Sequence, residues 1–303
     1  MIDFPHVVIM TLEQLRIFLA VAERQHVTRA AETLHLTQSA VSASVAALER
    51  THGVTLFDRI GRRIVLTDAG EALIPEARAI LNRVETAELL LQDMGGEPRG
   101  RLRIHASQTV ASYWLPQRMV ALNDAHPRIE LALSVGNTAQ VARAVAEGAA
   151  DLGLVEGEVS QGDLHRQVVA RDELVMVVAR DHPLATGGTV APADYPAQRW
   201  ILREEGSGTR SEFEGHLAAA GLALDALDVA LELPSNEAVI AAVSAGGCVS
   251  VLSRRAVESA SAAGRVRALA IPGAERPFAV LTHPGRHRTQ ALQAMLALLT
   301  GSP

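Results

Sequence analysis

The chain has 303 residues, 48% of them apolar, which suits two or three domains better than one small core. No apolar run approaches the ~18 residues of a membrane helix, and the start MIDFPHVVIMT lacks the basic region of a secretory signal, so a soluble cytoplasmic protein with no membrane partner is expected. A single cysteine excludes an internal disulfide framework and a multi-cysteine metal site, and the net charge of −6 argues against a bulk basic field for nucleic acid.

The charge is unevenly spread. Residues 1–68 hold seven arginines against seven acids, so the remainder carries the whole deficit; no lysine occurs anywhere. Leu12, Leu15, Phe18 and Ala22 fall at helical spacing and give a first helix over about 12–24. Thr28 then caps a short second helix, TRAAETLHL, and Thr37 caps a third, QSAVSASVAALERTHG, in which Val41, Val45 and Leu48 recur on one face until Gly53 ends it. TLFDRIGRRIVLT reads as two short strands around Gly61, a β-wing carrying Arg59, Arg62 and Arg63. From Asp68 to about Asp93 one long helix spaces Leu73, Ala77, Ile80, Val84, Ala87 and Leu91 at 4-3-4-3-4, the seam of a two-stranded coiled coil or of a long helix packed on its own core. Pro75 should bend it near its start. GGEP at 95–98 is the best domain boundary.

Beyond it strands and helices alternate. LRIHAS, IELALSVG, DLGLVEG, ELVMVVA, WILREEG, ALELPS, CVSVLS and FAVLTH read as strands. ASYWLPQRMVALNDAHP, TAQVARAVAEGA, TRSEFEGHLAAAGL, NEAVIAAVSAGG and TQALQAMLALL read as helices. The result is an α/β region with mostly parallel sheet, long enough for two Rossmann-like subdomains with a cleft between them. Trp114 and Trp200 are assigned to cores. Cys248 is a core thiol or a redox sensor, and His283 and His287, with Pro284 and Gly285 between them, form no metal site.

Helices two and three with their HLT turn make a helix-turn-helix, followed by a wing and a dimerising helix. With Val41, Val45 and Leu48 inward, Gln38, Ser39, Ser42 and Ala43 face out, where Gln can read adenine and Ser a base or phosphate. Thr28 at the start of the preceding helix and Arg59, Arg62 and Arg63 on the wing complete the expected DNA-contacting set. REEGSGTR, 203–210, joins two glycines, two hydroxyls and an arginine at a helix start, the chemistry of an anion loop or of a well-capped helix. ASQT, 106–109, is a second junction of the same kind. The G-x4-G-K-[ST] spacing of a phosphate-binding enzyme is absent, as is any nucleophile-and-base pair.

AAETLHLTQSAVSASVAALE, LFDR…RRIVLTDAGEAL and the α/β region resemble a LysR-type transcriptional regulator over nearly the whole chain. The resemblance implies an all-α winged helix-turn-helix (10–67), a coiled-coil linker helix (68–94) and a periplasmic-binding-protein-like effector domain (95–303). Within the last, subdomain I covers about 100–172 and 272–303, and subdomain II about 173–271. It also implies a homodimer through the linker helix, a homotetramer, double-stranded promoter DNA as partner with RNA polymerase as a further one, no enzyme activity, no cofactor and no metal. VGNT, DLGLVEG, REEGSGTR and SNEAV look like the sulfur-assimilation and carbon-fixation subgroup, with LVEG leaning to its sulfite-responsive branch, whereas GGCVS departs from the usual GLGIS. The effector contacts so implied are Ser107, Gln108, Thr109, Asn137, Thr138, Glu156, Ser207, Gly208, Thr209, Arg210 and Asn236, for a small anion: a sulfite-like oxyanion first, a phosphorylated metabolite second. The family's first helix starts just after the initiator methionine, matching Met10 here, so residues 1–9 are expected to be either an extension or a start placed too early. A cytoplasmic solute-binding protein or an enzyme of the same α/β fold is the alternative, but the first does not account for residues 12–68 and the second lacks a base, metal or cofactor motif.

Overall fold

The computed structural model describes residues 10–60, 63–93, 97–159 and 163–301, in two compact units, 1–92 and 93–303. The first unit contains α1 (Leu12–Arg24), α2 (Val27–Leu34), α3 (Gln38–His52), the antiparallel pair β1 (Phe57–Ile60) and β2 (Arg63–Leu66), and α4 (Asp68–Asp93). Thr11 and Gln14 exchange side-chain and backbone hydrogen bonds to open α1 with a capping box. Thr37 caps α3 as expected, accepting from Ala40 N. Thr28 does not cap α2: the helix begins one residue earlier behind His26, so Thr28 lies inside its first turn. The α2–α3 turn is tight because His35 adopts φ 54° and Leu36 N reaches back to Ala31 O at 2.9 Å.

Leu15, Phe18, Val21, Ala30, Val41 and Leu48 are buried between these three helices. The wing is tied to α3 by Glu49, whose Oε1 accepts from Leu56 N and Phe57 N at 2.8 and 3.2 Å. α4 then starts hard against the wing: a Cβ at Gly70 would meet Leu56 O at 2.3 Å, so only glycine fits there. That entry divides the heptad seam. Leu73 and Ala77, with Ile74 and Leu81, pack on Leu15, Phe18, Leu48 and Leu56 of the same unit. Farther along, Ile80 is 42% and Leu91 71% exposed. The early seam positions thus serve the unit's own core, while of the later ones Ile80, Ala87 and Leu91 stand open and Val84 is half-buried. The helix runs uninterrupted through Pro75.

The second unit is built on one eight-stranded sheet, ordered β4-β3-β5-β10-β6-β9-β7-β8. In chain order its elements are β3 (Gly100–Ser107), α5 (Gln108–Tyr113), α6 (Pro116–Ala125), β4 (Ile129–Gly136), α7 (Thr138–Glu147), β5 (Leu152–Glu156), β6 (His165–Ala179), β7 (Arg199–Arg203), α8 (Gly208–Ala219), β8 (Asp228–Leu233), α9 (Asn236–Ser244), β9 (Val249–Ser253), α10 (Arg254–Ala262), β10 (Val266–Thr282) and α11 (Gln290–Thr300). β4, β3 and β5 are parallel, as are β9, β7 and β8. Between these halves β6 and β10 run antiparallel for most of their length, with a register break between Ala270 and Glu275. Two lobes result, each with its own helices, joined by two long strands. One lobe buries Leu102, Ile104, Trp114, Phe278 and Met295, and the other Met176, Tyr195, Trp200 and Phe213.

Three expectations shift. The helix read over ASYWLPQRMVALNDAHP is two helices, because Pro116 lacks an N–H and takes the first position of α6. FAVLT is only the last five residues of the 17-residue β10. α10 follows directly on β9, capped by Ser253. Both tryptophans pack in cores, Trp114 edge-on to Phe278 and Trp200 against Tyr195 and Phe213.

Candidate functional site

On α3, Val41 and Leu48 are buried and Val45 partly so, which leaves Gln38, Ser39 and Ala43 exposed and Ser42 half-buried, the outward set read from the spacing. Ser39 Oγ is 3.0 Å from Thr37 Oγ1, so its hydroxyl supports the cap. Thr28 is exposed on α2. Arg59 and Arg63 stand in the two wing strands, opposite Ile64 and Ile60. Arg62, Gly61 and residues 1–9 lie outside the described residues.

The second candidate site forms where the lobes of the second unit meet. β3 ends at Ser107 and β5 at Glu156, and α8 begins at Gly208. Gly208 sits where a Cβ would meet Glu156 O at 2.1 Å and Thr138 Oγ1 at 2.5 Å, so the absence of a side chain lets α8 close on β5. Thr138 Oγ1 donates to Glu156 O at 2.8 Å, and Asn137 caps α7 while its Nδ2 donates to Glu205 O at 3.3 Å. Asn137 is therefore a strut between the lobes, as is the Ala139 N–H, which donates to Gly206 O at 3.2 Å, whereas Thr138 ties α7 to β5 within one lobe. Ser107, Thr109, Thr138, Glu156, Ser207, Thr209 and Asn236 are all buried here.

Within this cluster Ser107 Oγ donates to the Glu156 carboxylate. Asn236 accepts from Arg203 Nη1 at 2.7 Å and donates to Thr109 Oγ1 at 3.3 Å. Gln108 faces the cleft mouth, accepting from Asn236 N and donating to Glu237, which also accepts from Tyr113 OH at 2.7 Å. Burial, reinforced by Glu237, pushes the Tyr113 phenol well above its usual pKa. Ser207 precedes α8 without capping it. Thr209 Oγ1 instead accepts from Arg276 Nη1 at 3.0 Å. REEGSGTR is thus not a side-chain-capped helix start.

One residue of the expected set turns away. Arg210 donates to Glu214 at 2.8 Å and pairs with Glu232 at 2.7 Å. Burial opposes its charge, but these two carboxylates outweigh it and raise its pKa. The buried cations of the cleft are Arg203 and Arg276. Arg203 could be read from the sequence as a partner for its neighbouring glutamates, and it does hold Glu204 at 2.8 Å. Arg276 and its partner Asp172 gave no such sign; the only hint is an arginine leading into the apolar run PFAVL. No group of three or more His, Cys, Asp or Glu side chains among the described residues could hold a metal ion. His283 Nδ1 accepts from Gly285 N. Cys248 is half-buried at the edge of the core formed by Val239, Val243 and Val257.

A winged helix-turn-helix followed by two lobes closing on buried hydroxyls and arginines matches known proteins along its whole length. The model of the bacterial regulatory helix-turn-helix protein, lysR family, matches residues 12–71, and that of the LysR substrate binding domain residues 95–302. The chain is 37% identical over 288 residues to the uncharacterized HTH-type transcriptional regulator YeiE of Escherichia coli (strain K12), covering 94% of this chain and 96% of that protein. It is 33% identical to the HTH-type transcriptional regulator CbbR of Rhodospirillum rubrum, covering 95% of each. The regulatory domain of CcmR from Synechocystis PCC6803, solved in complex with 2-PG, superposes with a TM-score of 0.61 at 30% identity, covering 67% of this chain and 96% of that one. The chain belongs to the LysR family of ligand-responsive transcriptional regulators, with regulators of the carbon-fixation subgroup among its relatives, and is not an enzyme.

Proposed function

We propose that this regulator binds promoter DNA through α3 and its wing, dimerises through the open part of α4, assembles further into a tetramer, and senses a small oxyanion in the cleft between its two lobes. The observation that carries the anion reading is the uncapped start of α8, with Thr209 held against a fully buried guanidinium. A helix N-terminus, hydroxyls and a buried cation all favour a negatively charged ligand there. Asn137 and the Ala139 N–H tie one lobe to the other beside the site, so an occupant would bias the angle between lobes through its differential affinity for their open and closed arrangements. A sulfite-like oxyanion is the first choice, because Glu156 and Glu204 lie in or beside the cluster and a small ligand tolerates them better than a highly charged one. That 2-PG occupies a relative's regulatory domain keeps a phosphorylated metabolite as the second.

The deciding experiment is calorimetry on the full-length protein with sulfite, sulfate, phosphate and 2-PG, paired with gel shifts on its own upstream DNA. A ligand present at 100 Kd adds about 2.7 kcal/mol of stability, so a thermal-shift screen ranks the four beforehand. Binding of a cationic metabolite in preference to all four would sink the anion reading.

A further inference from the structure

We infer that Arg276, and not Arg210, is the cation that recognises the effector, and that Asp172 is its positioning residue; this rests on the anion reading above. Arg276 lies in β10 and is 0% exposed. Its Nε donates to Asp172 Oδ2 at 2.9 Å, and its Nη2 lies 2.8 Å from that same oxygen without making a hydrogen bond. Its Nη1 donates one hydrogen to Thr209 Oγ1. The nearest other carboxylate oxygen to Nη1 belongs to Glu156, at 3.9 Å, outside hydrogen-bond range. A buried guanidinium with hydrogens left over is costly, and in a native protein such a group calls for an occupant that satisfies it. Nη1, with its second hydrogen unused, stands beside Thr209 at the head of α8, where an anion's oxygens would complete it.

Asp172 is held as firmly as the arginine it orients. Its Oδ1 accepts from Ser253 Oγ at 2.9 Å and lies 3.7 Å from Arg255 Nε. It sits on β6 close to the register break in β10, so the pair spans the two strands that join the lobes. Arg203 is the competing cation, but each of its three nitrogens already donates to a protein oxygen, Nε and Nη2 to Glu204 and Nη1 to Asn236, whereas Nη2 of Arg276 donates to none. Arg210 is paired on the outer side of α8 with Glu214 and Glu232. Because Thr209 accepts from Arg276, its own proton is free to turn to a ligand, so hydroxyl and guanidinium present donors together.

The test compares full-length wild type with Arg276→Lys, Asp172→Asn, Arg210→Gln and the double variant Asp172→Asn with Arg276→Gln, using whichever of sulfite, sulfate, phosphate and 2-PG wild type binds best. The double variant removes both charges and leaves neither orphaned. It should bind about 10–100-fold more weakly with little change in Tm, the range for losing one charge-assisted hydrogen bond. Arg276→Lys and Asp172→Asn should each lose about 3–10-fold, and Arg210→Gln less than about twofold. A double variant that folds and binds within twofold of wild type overturns the inference, as does an Arg210→Gln loss equal to that of the double. Should the double fail to fold, nitrogen NMR decides: the guanidinium signal missing from Arg276→Lys must shift when anion is added to wild type, and a static signal overturns the inference. Wild-type Kd in Asp172→Asn, with that signal still sharp, strips Asp172 of its positioning role. Wild type binding none of the four anions removes the anion reading itself, and this inference with it; wild type binding while the double equals it removes only this one.

Discussion

A methyl group at position 208 would lie 2.1 Å from the Glu156 carbonyl oxygen and 2.5 Å from the Thr138 hydroxyl. Restoring even a tight contact of 3.0 Å to Glu156 O requires a shift of about 0.9 Å, the difference between 3.0 and 2.1. One side of that contact is backbone and the other a short hydroxyl already bonded to the same carbonyl, so neither can swing aside as a long side chain would. Overpacking of this kind costs about 1–3 kcal/mol. At about 2–4 °C per kcal/mol for a unit of this size, the Tm of Gly208→Ala should fall by about 2–12 °C. Displacing α8 by that amount also stretches the 3.0 Å bond from Arg276 to Thr209 beyond useful range, so anion affinity should drop by about tenfold or more. Gly215 in the same helix is the control: a Cβ there meets nothing within 4 Å. Gly215→Ala should therefore stabilise by up to about 1 kcal/mol, the ordinary gain from replacing glycine inside a helix. Differential scanning calorimetry and anion titration of both variants check this. If Gly208→Ala melts and binds like wild type while Gly215→Ala gains stability, α8 does not press on β5 and the cleft is built differently.

Further outcomes follow from other parts of the molecule. Ile80→Glu places a charge on the open part of α4 and should yield a monomer by sedimentation that no longer binds promoter DNA, with the second unit still folded. Ala77→Glu, fully buried, should unfold the first unit instead. Gln38→Ala should cost about 1–3 kcal/mol at one base position in competition gel shifts, and equal affinity for every base there would refute its placement. Thr209→Val removes both the acceptor of Arg276 and a donor to the ligand, so calorimetry should show about 1–3 kcal/mol weaker anion binding, with ligand-free DNA affinity unchanged. Burial lowers the pKa values of His105, His182 and His216 below the usual imidazole value. Their contribution to stability is complete above about pH 6.5 and is lost as pH falls toward the depressed folded values, because the unfolded chain takes up protons first. Glu212, raised chiefly by burial, acts in the opposite sense, so the comparison with His216→Gln isolates the imidazole: that variant should show a shallower loss of Tm between about pH 7 and 5.5.

The helix-turn-helix was legible because its information is local. Val41, Val45 and Leu48 repeat within one helix, and Thr37 announces its start, so inward and outward faces follow from spacing alone. Local signals misled where tertiary context intervened. Leu73 and Ala77 share a periodicity with Leu91, yet the first two pack on the wing and α1, a distinction that spacing does not encode. Arg210 stood beside the anion loop in sequence, but Glu214 four residues on and Glu232 on the neighbouring strand claim it. Asp172 and Arg276 meet across 104 residues, and Thr209 and Arg276 across 67, so no window of sequence holds either pair. The part of β10 before Phe278 gave no strand signal of its own; Pro272 and Gly273 break its pattern, and they fall at the register break of a continuous strand.

The two long strands that tie the lobes together also dictate an order of events during synthesis. β10 supplies Phe278 and Val280 to one lobe and Leu269 and Ile271 to the other, and it runs from residue 266 to 282. Neither lobe can complete its core until that strand and, for the first lobe, Met295 of α11 have left the ribosome. The DNA-binding unit is finished within the first 92 residues. At about 5–20 residues per second, a nascent chain therefore spends about 10–40 s with a folded reader of DNA and no folded sensor. A message cut short anywhere between residues 93 and 266 would yield the same state permanently: a protein able to occupy a promoter and deaf to its metabolite.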